Sequence, residues 1–139
     1  MNTYYDYAYN SYLHLINMKD IQPYSYNSIC AESQSVCERM LKYIVELFVN
    51  ANTDSSAIAY ADILRTHSVK RLLDYLEAEL PDFDINYDTV VRVNGYYFEV
   101  RYPGENSYFA KRRDVDISLA AVRSCVASVT EYINQREES

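Results

Sequence analysis

The side chains of this sequence that could bind a phosphate or transfer a proton are few and lie far apart along the chain. His67 follows Thr66 and precedes Ser68, and histidine is the side chain whose charge changes most readily near neutral pH. Arg101 begins Arg101-Tyr102-Pro103-Gly104, where proline constrains the turn and a guanidinium could hold a phosphate through two parallel hydrogen bonds. Alternatively, Arg101 pairs with a carboxylate such as Glu38 and holds the turn in place.

A second pair of charged residues precedes this histidine in the sequence. Glu38 and Lys42 are four residues apart in a segment with helical periodicity, and such a pair stabilises a helix by roughly 0.2 to 0.5 kcal/mol without any further role. The pair would gain a functional meaning only if the two side chains projected towards His67 or Arg101.

Other chemistries have little support in the sequence. The two histidines and three cysteines (Cys30, Cys37 and Cys125) show no paired metal-ligand spacing. Gly95 and Gly104 are the only glycines, so no glycine-rich loop can surround a phosphate. We therefore predict neither a metal site nor a bound cofactor.

Composition limits the class of protein further. The 139 residues suffice for one domain with its own core, and a net charge of −7 opposes general attraction to nucleic acid. Any phosphate site must therefore be locally basic, and Lys111-Arg112-Arg113 is one candidate, a solvated loop being the alternative. The odd number of cysteines indicates free thiols, and no apolar run approaches the roughly 20 residues that cross a bilayer. We expect a soluble, cytoplasmic protein.

Apolar residues recur at helical spacing in most of the chain. One segment, residues 88–102, is ambiguous, because Asn94-Gly95 is a strong hairpin signal while Val90, Val93 and Tyr97 also fit a helical period; we favour a helix there. Sixteen tyrosines, seven of them before residue 27, suit a helix face that packs or that stacks on a ligand. Predicted helices cover residues 3–18, 26–49, a segment capped by Ser55 or Ser56 and running towards Leu64, 69–80, and 113–135.

Three separated groups of residues together resemble the HEPN (higher eukaryotes and prokaryotes nucleotide-binding) domain family across nearly the whole chain. Arg101-Tyr102-Pro103 resembles the family's Arg-Tyr-Pro, Thr66-His67 its Thr-His, and Glu38 and Lys42 match charged positions of its second helix, with Arg39 where lysine is usual. The resemblance implies a single all-α domain over residues 1–139, an antiparallel up-and-down bundle of four to five helices. It also implies a homodimer.

Several functions occur among proteins of this family, so the resemblance implies alternatives. The first is a non-catalytic module that binds a nucleotide or RNA phosphate through Arg101, His67, Lys42, Glu38 and Tyr102, or that pairs with a minimal nucleotidyltransferase as a toxin–antitoxin system. The second is a metal-independent endoribonuclease that uses His67 and Arg101. The third is a purely structural interaction protein.

One departure from the family favours binding over catalysis. The ribonuclease branch carries an arginine followed after about four to six residues by a histidine, which sets a general acid or base beside a phosphate-stabilising cation. Here His14 has no arginine before it, and a single residue separates Arg65 from His67. We therefore expect that the protein is not an enzyme.

Overall fold

The computed structural model describes residues 3–95 and 109–137, and within them every regular element is helical. The expected all-α bundle of four to five helices is confirmed, because five helices of this part have eleven residues or more and pack against one another. Short 3₁₀ helices cover Pro23–Ser25 and Val91–Val93. The α-helices are α1 (Tyr4–Ile16), α2 (Tyr26–Phe48), α3 (Asp54–Leu64), α4 (Val69–Glu79), α5 (Tyr87–Val90) and α6 (Arg112–Glu137).

Helix α2 is the centre of the bundle, and α1, α4 and α6 pack around it. Apolar residues on several of its faces are buried, among them Val36, Leu41 and Val45. A helix that is apolar on more than one side is stable only when neighbours cover it. The apolar faces of α2 are therefore covered by the helices around it.

Contacts between named side chains give the directions of these helices. Tyr5, in the first turn of α1, packs against Tyr43 towards the end of α2 with the rings tilted and hydrogen-bonds Thr130 late in α6, so α1 runs antiparallel to both. Phe48 at the end of α2 meets Tyr132 near the end of α6 edge to face. The two longest helices of the described chain consequently lie side by side and run in the same direction.

The apolar seam predicted for the last helix faces the core of the bundle. Val115, Val122, Val126 and Val129 are buried. The two other predicted members, Leu119 and Ile133, are partly buried against the same core. Burial at each of these positions is what an apolar repeat of alternating three and four residues requires.

The start of α3 differs from the sequence prediction. Thr53 caps this helix rather than Ser55 or Ser56, because the Thr53 side chain accepts the Ser56 backbone N–H while the Ser56 side chain accepts the Thr53 N–H. This reciprocal capping box satisfies two backbone donors at once. A serine two or three positions later could not do so without shortening the helix.

The segment that carried the hairpin signal starts as helix. Residues 87–93 form α5 and the following 3₁₀ helix, which confirms the helical prediction there, and Asn94 and Gly95 form a turn, with Gly95 at a φ of 95°. A positive φ of this size favours glycine, so the Asn-Gly pair ends the helix. Residues 96–100 lie outside the described part of the chain. No described helix is long and apolar enough to span a membrane.

Candidate functional site

Glu38, on the face of α2 that meets the start of α4, is a buried carboxylate with three polar neighbours. Its Oε1 accepts a hydrogen bond from Nε2 of Gln34 at 3.0 Å. Its Oε2 lies 3.3 Å from Nδ1 of His67 and 4.0 Å from Nζ of Lys42. Because only 8% of the Glu38 side chain is exposed, these neighbours replace most of the water that an ionised carboxylate would otherwise bind.

The connection between α3 and α4 is fixed to α2 through the backbone of His67. Gln34, which is fully buried, donates a second hydrogen bond to the His67 carbonyl oxygen at 2.7 Å. A buried amide with two acceptors at these distances has little freedom to rotate. Gln34 therefore sets the positions of both the Glu38 carboxylate and the backbone of His67.

A second anchor holds the start of α4 from the other side. Ser68 caps α4 by accepting the backbone N–H of Arg71, and Oδ1 of Asn94 accepts both the Ser68 hydroxyl and the Lys70 backbone N–H at 3.1 Å. The turn at Asn94 is thus joined to the first turn of α4. His67 lies between these two anchors.

The His67 ring is accessible although its environment is ordered. Its side chain is 55% exposed, and the carboxylate beside Nδ1 favours a proton on that nitrogen, which in a neutral ring leaves Nε2 as the acceptor. The second ring nitrogen therefore points away from the carboxylate. The arrangement combines an oriented imidazole with contact to solvent, which suits both recognition and proton transfer.

Lys42 is the third charged member of the site and is almost completely covered. Burial lowers the pKa of Lys42, the Glu38 carboxylate opposes that shift, and Arg39 adds to it. An ammonium group with 9% of its side chain exposed can hardly reach a ligand directly. Its described contact is with Glu38, the carboxylate that also contacts His67.

The structure exposes a basic segment that the sequence analysis missed. Residues 65–71 carry Arg65, His67, Lys70 and Arg71, all exposed, in a chain whose net charge is −7. Lys70 and Arg71 form ion pairs with carboxylates at 2.7 and 2.8 Å, while Arg65 has no ion pair within the described part of the molecule. The sequence contains these basic residues, but they do not form a continuous run, because two uncharged residues separate His67 from Lys70.

Of the five predicted ligand-binding residues, the structure brings together Glu38, Lys42 and His67. The other two, Arg101 and Tyr102, lie outside the described residues, and their roles stay predictions. The basic run Lys111-Arg112-Arg113 is exposed at the start of α6. Arg112 pairs there with Asp116 four residues later at 3.3 Å.

The cysteines are structural residues of the core. Cys30, Cys37 and Cys125 are free and completely buried, as expected. Burial raises the pKa of Cys30 to about 11. The pKa of Cys37 is raised well above its usual value, chiefly by its contact with Cys125 and secondly by burial. Within residues 3–95 and 109–137, no group of three or more metal-ligating side chains is assembled.

Comparison with known proteins identifies the same family that the sequence resembles. The model of the HEPN domain family matches residues 17–133, which is most of the 139-residue chain. This protein therefore belongs to the HEPN domain family. No curated protein and no solved structure gives a significant match.

Proposed function

We propose that this HEPN domain is a module that binds the phosphate groups of a nucleotide or of single-stranded RNA at the connection between α3 and α4. The observation that supports the proposal most directly is the exposed His67 ring, held by a buried carboxylate 3.3 Å away. Buried partners that orient an exposed ring reduce the entropy lost when that ring contacts a ligand.

The neighbouring charges provide the local attraction that the whole chain lacks. Arg65, Lys70 and Arg71 flank His67, and the two ion pairs formed by Lys70 and Arg71 are more than half exposed on the cationic side. Exposed ion pairs of this kind contribute roughly 0 to 1 kcal/mol. Their cations can therefore turn to a phosphate with little loss of stability.

Binding is tested by titrating a fluorescent single-stranded RNA and, separately, ATP into the full chain. Arg65→Ala and His67→Ala should each weaken binding roughly 10-fold or more, the loss expected when a hydrogen bond to a charged group is removed. Arg123→Ala and His14→Ala are matched controls, because each removes the same side chain from an exposed position elsewhere and should leave binding unchanged.

The dependence on salt separates a site from general attraction. Removing Arg65 should lower the slope of log affinity against log salt by about one if this residue contacts a phosphate. Equal binding by all four variants, or no binding of either probe by the unaltered chain, would refute the proposed function. Arg101→Ala tests the remaining part of the predicted site in the same titration.

A second candidate function is supported by the distance between Glu38 and His67. A carboxylate beside Nδ1 orients the imidazole so that Nε2 can take or give a proton, as a metal-independent endoribonuclease requires. Cleavage of RNA that is lost in His67→Ala, but kept in His14→Ala, would establish this activity. If the unaltered chain cleaves no RNA at any salt concentration, the binding module stands alone.

The assembly implied by the family also belongs to this proposal. A homodimer and a minimal nucleotidyltransferase partner are both expected from the resemblance. Light scattering of the purified chain tests the first, and co-purification with a nucleotidyltransferase encoded beside it tests the second. A strictly monomeric chain would remove the homodimer from the proposal.

A further inference from the structure

A groove lies between the tyrosine-rich helix α1 and the second half of α6. Its volume is about 600 Å³. The described residues that line it are aromatic, small or polar, and they include Tyr5, Tyr9, Tyr12, Val126, Thr130 and Glu131. None of the described lining residues is cationic.

The aromatic wall of the groove is ordered by contacts between rings. Tyr5 and Tyr9 stack with centroids 5.6 Å apart and an interplanar angle of 11°, and Tyr9 lies 5.8 Å from Tyr12. The Tyr5 hydroxyl is held by Thr130 across the groove at 3.1 Å. Since Tyr9 is 38% exposed, part of this aromatic surface faces solvent.

The one charged side chain among the described lining residues is a carboxylate. Glu131 lines the groove directly, and its Oε1 accepts a hydrogen bond from Nε2 of Gln135, another lining residue. Arg136, the nearby cation on α6, lies over the ring of Tyr132 and pairs with Asp82. That contact directs its charge towards the end of α4.

We propose that this groove between α1 and α6 binds an arginine- or lysine-rich segment of a partner protein. Tyrosine rings attract cations through their faces, and a carboxylate at the rim completes the charge pairing. Tyr9 on α1 and Glu131 on α6 both line the groove, so a cation bound there can contact an aromatic face and a carboxylate. Charge complementarity thus supplies both the recognition and the orientation.

Two other occupants are disfavoured by the same charges. A nucleic acid would bring phosphates against Glu131, where like charges repel, and no described lining residue is a cation that could bind them. A second copy of this chain in a two-fold symmetric interface would place the same acidic groove against itself. The cationic segment is the occupant that the groove fits.

The test measures the binding of a short synthetic peptide to the full chain by fluorescence anisotropy. Arginine and serine alternate in this peptide. The peptide with citrulline in place of arginine is the control for charge, since citrulline keeps the shape of the side chain and loses its charge. Tyr9→Leu and Glu131→Gln should each weaken binding of the arginine peptide by roughly two- to fivefold, as expected for one exposed cation–π contact or ion pair. The double variant should show the product of the two changes.

Matched controls separate the groove from the overall negative charge. Glu77→Gln on α4 changes the net charge by the same amount as Glu131→Gln, and Tyr24→Leu removes a tyrosine that is 87% exposed outside the groove. Neither should change the affinity. Unaltered thermal midpoints in all four variants show that folding is intact.

Three results would overturn the proposal. The first is equal weakening by Glu77→Gln and Glu131→Gln, because the peptide would then sense only net charge. The second is equal binding of the arginine and citrulline peptides. The third is a dimer of this chain that Tyr9→Leu converts to a monomer, which would make a second copy the occupant.

Discussion

Replacement of Glu38 by alanine is expected to destabilise the protein far more than any loss of an exposed charge. The substitution leaves the Lys42 ammonium buried without its described partner and removes the acceptor at Oε1 used by Gln34. Removing one member of a buried ion pair typically costs about 3 to 5 kcal/mol. The His67 contact at Oε2 is lost as well.

The distance in the structure supports a cost in this range. Two unit charges 4.0 Å apart attract by roughly 4 kcal/mol at an effective dielectric constant of about 20. Little of this is screened, because both side chains are less than a tenth exposed. We therefore expect Glu38→Ala to lower the free energy of unfolding by about 3 to 5 kcal/mol.

Urea denaturation at neutral pH measures this change, provided that the slope with denaturant concentration stays constant. Glu46→Ala is the matched control, since Glu46 is exposed on the same helix and its loss should change stability by no more than about 0.5 kcal/mol. If the alanine variant does not fold, Glu38→Gln tests the same point. The glutamine amide carries no charge to pair with Lys42, and its NH₂ group would face Gln34 or His67, which are donors themselves. A loss below about 1 kcal/mol for Glu38→Ala would refute the reasoning, since it would fall in the range of exposed pairs.

Two further predictions concern single residues. Thr53→Ala removes the capping box of α3 and should cost about 0.5 to 2 kcal/mol in urea denaturation, whereas Asn52→Ala, just outside the helix, should cost little; equal effects would mean that the box contributes nothing. Because the pKa of Lys42 is lowered from 10.5 on folding, the unfolded chain binds the proton more tightly, so the contribution of Lys42 to stability should rise as pH increases towards 10.5. The unfolding free energy of the unaltered protein relative to Lys42→Met should therefore increase over that range, and a flat or falling difference would contradict the lowered pKa.

The helices could be predicted from sequence because apolar spacing depends on the same geometry as burial. The second predicted helix, residues 26–49, agrees within a residue with Tyr26–Phe48. The helix start at Thr53 was missed because the serines after it are equally good capping residues by type. Only the backbone geometry shows that Thr53 and Ser56 satisfy each other.

The candidate site was predictable in part. Glu38 and His67 were identified by resemblance, but their contact depends on how the α3–α4 connection reaches α2, which no local pattern contains. Gln34 was missed entirely, since a glutamine within a helix gives no sign that it will be buried between two acceptors. Its role comes from tertiary packing, and the same holds for Asn94 at the start of α4.

Because all three cysteines are buried, the reaction of their thiols with a reagent can report opening motions of the bundle. Cys37 on α2 contacts Cys125 on α6, and Cys30 on α2 contacts Ser118 on α6. An alkylating reagent can therefore reach a thiolate only after these two helices separate. The raised pKa values of Cys30 and Cys37 suppress reaction in the closed state still further. The rate of thiol labelling in the unaltered chain should therefore measure how often the centre of the bundle opens, without any introduced probe.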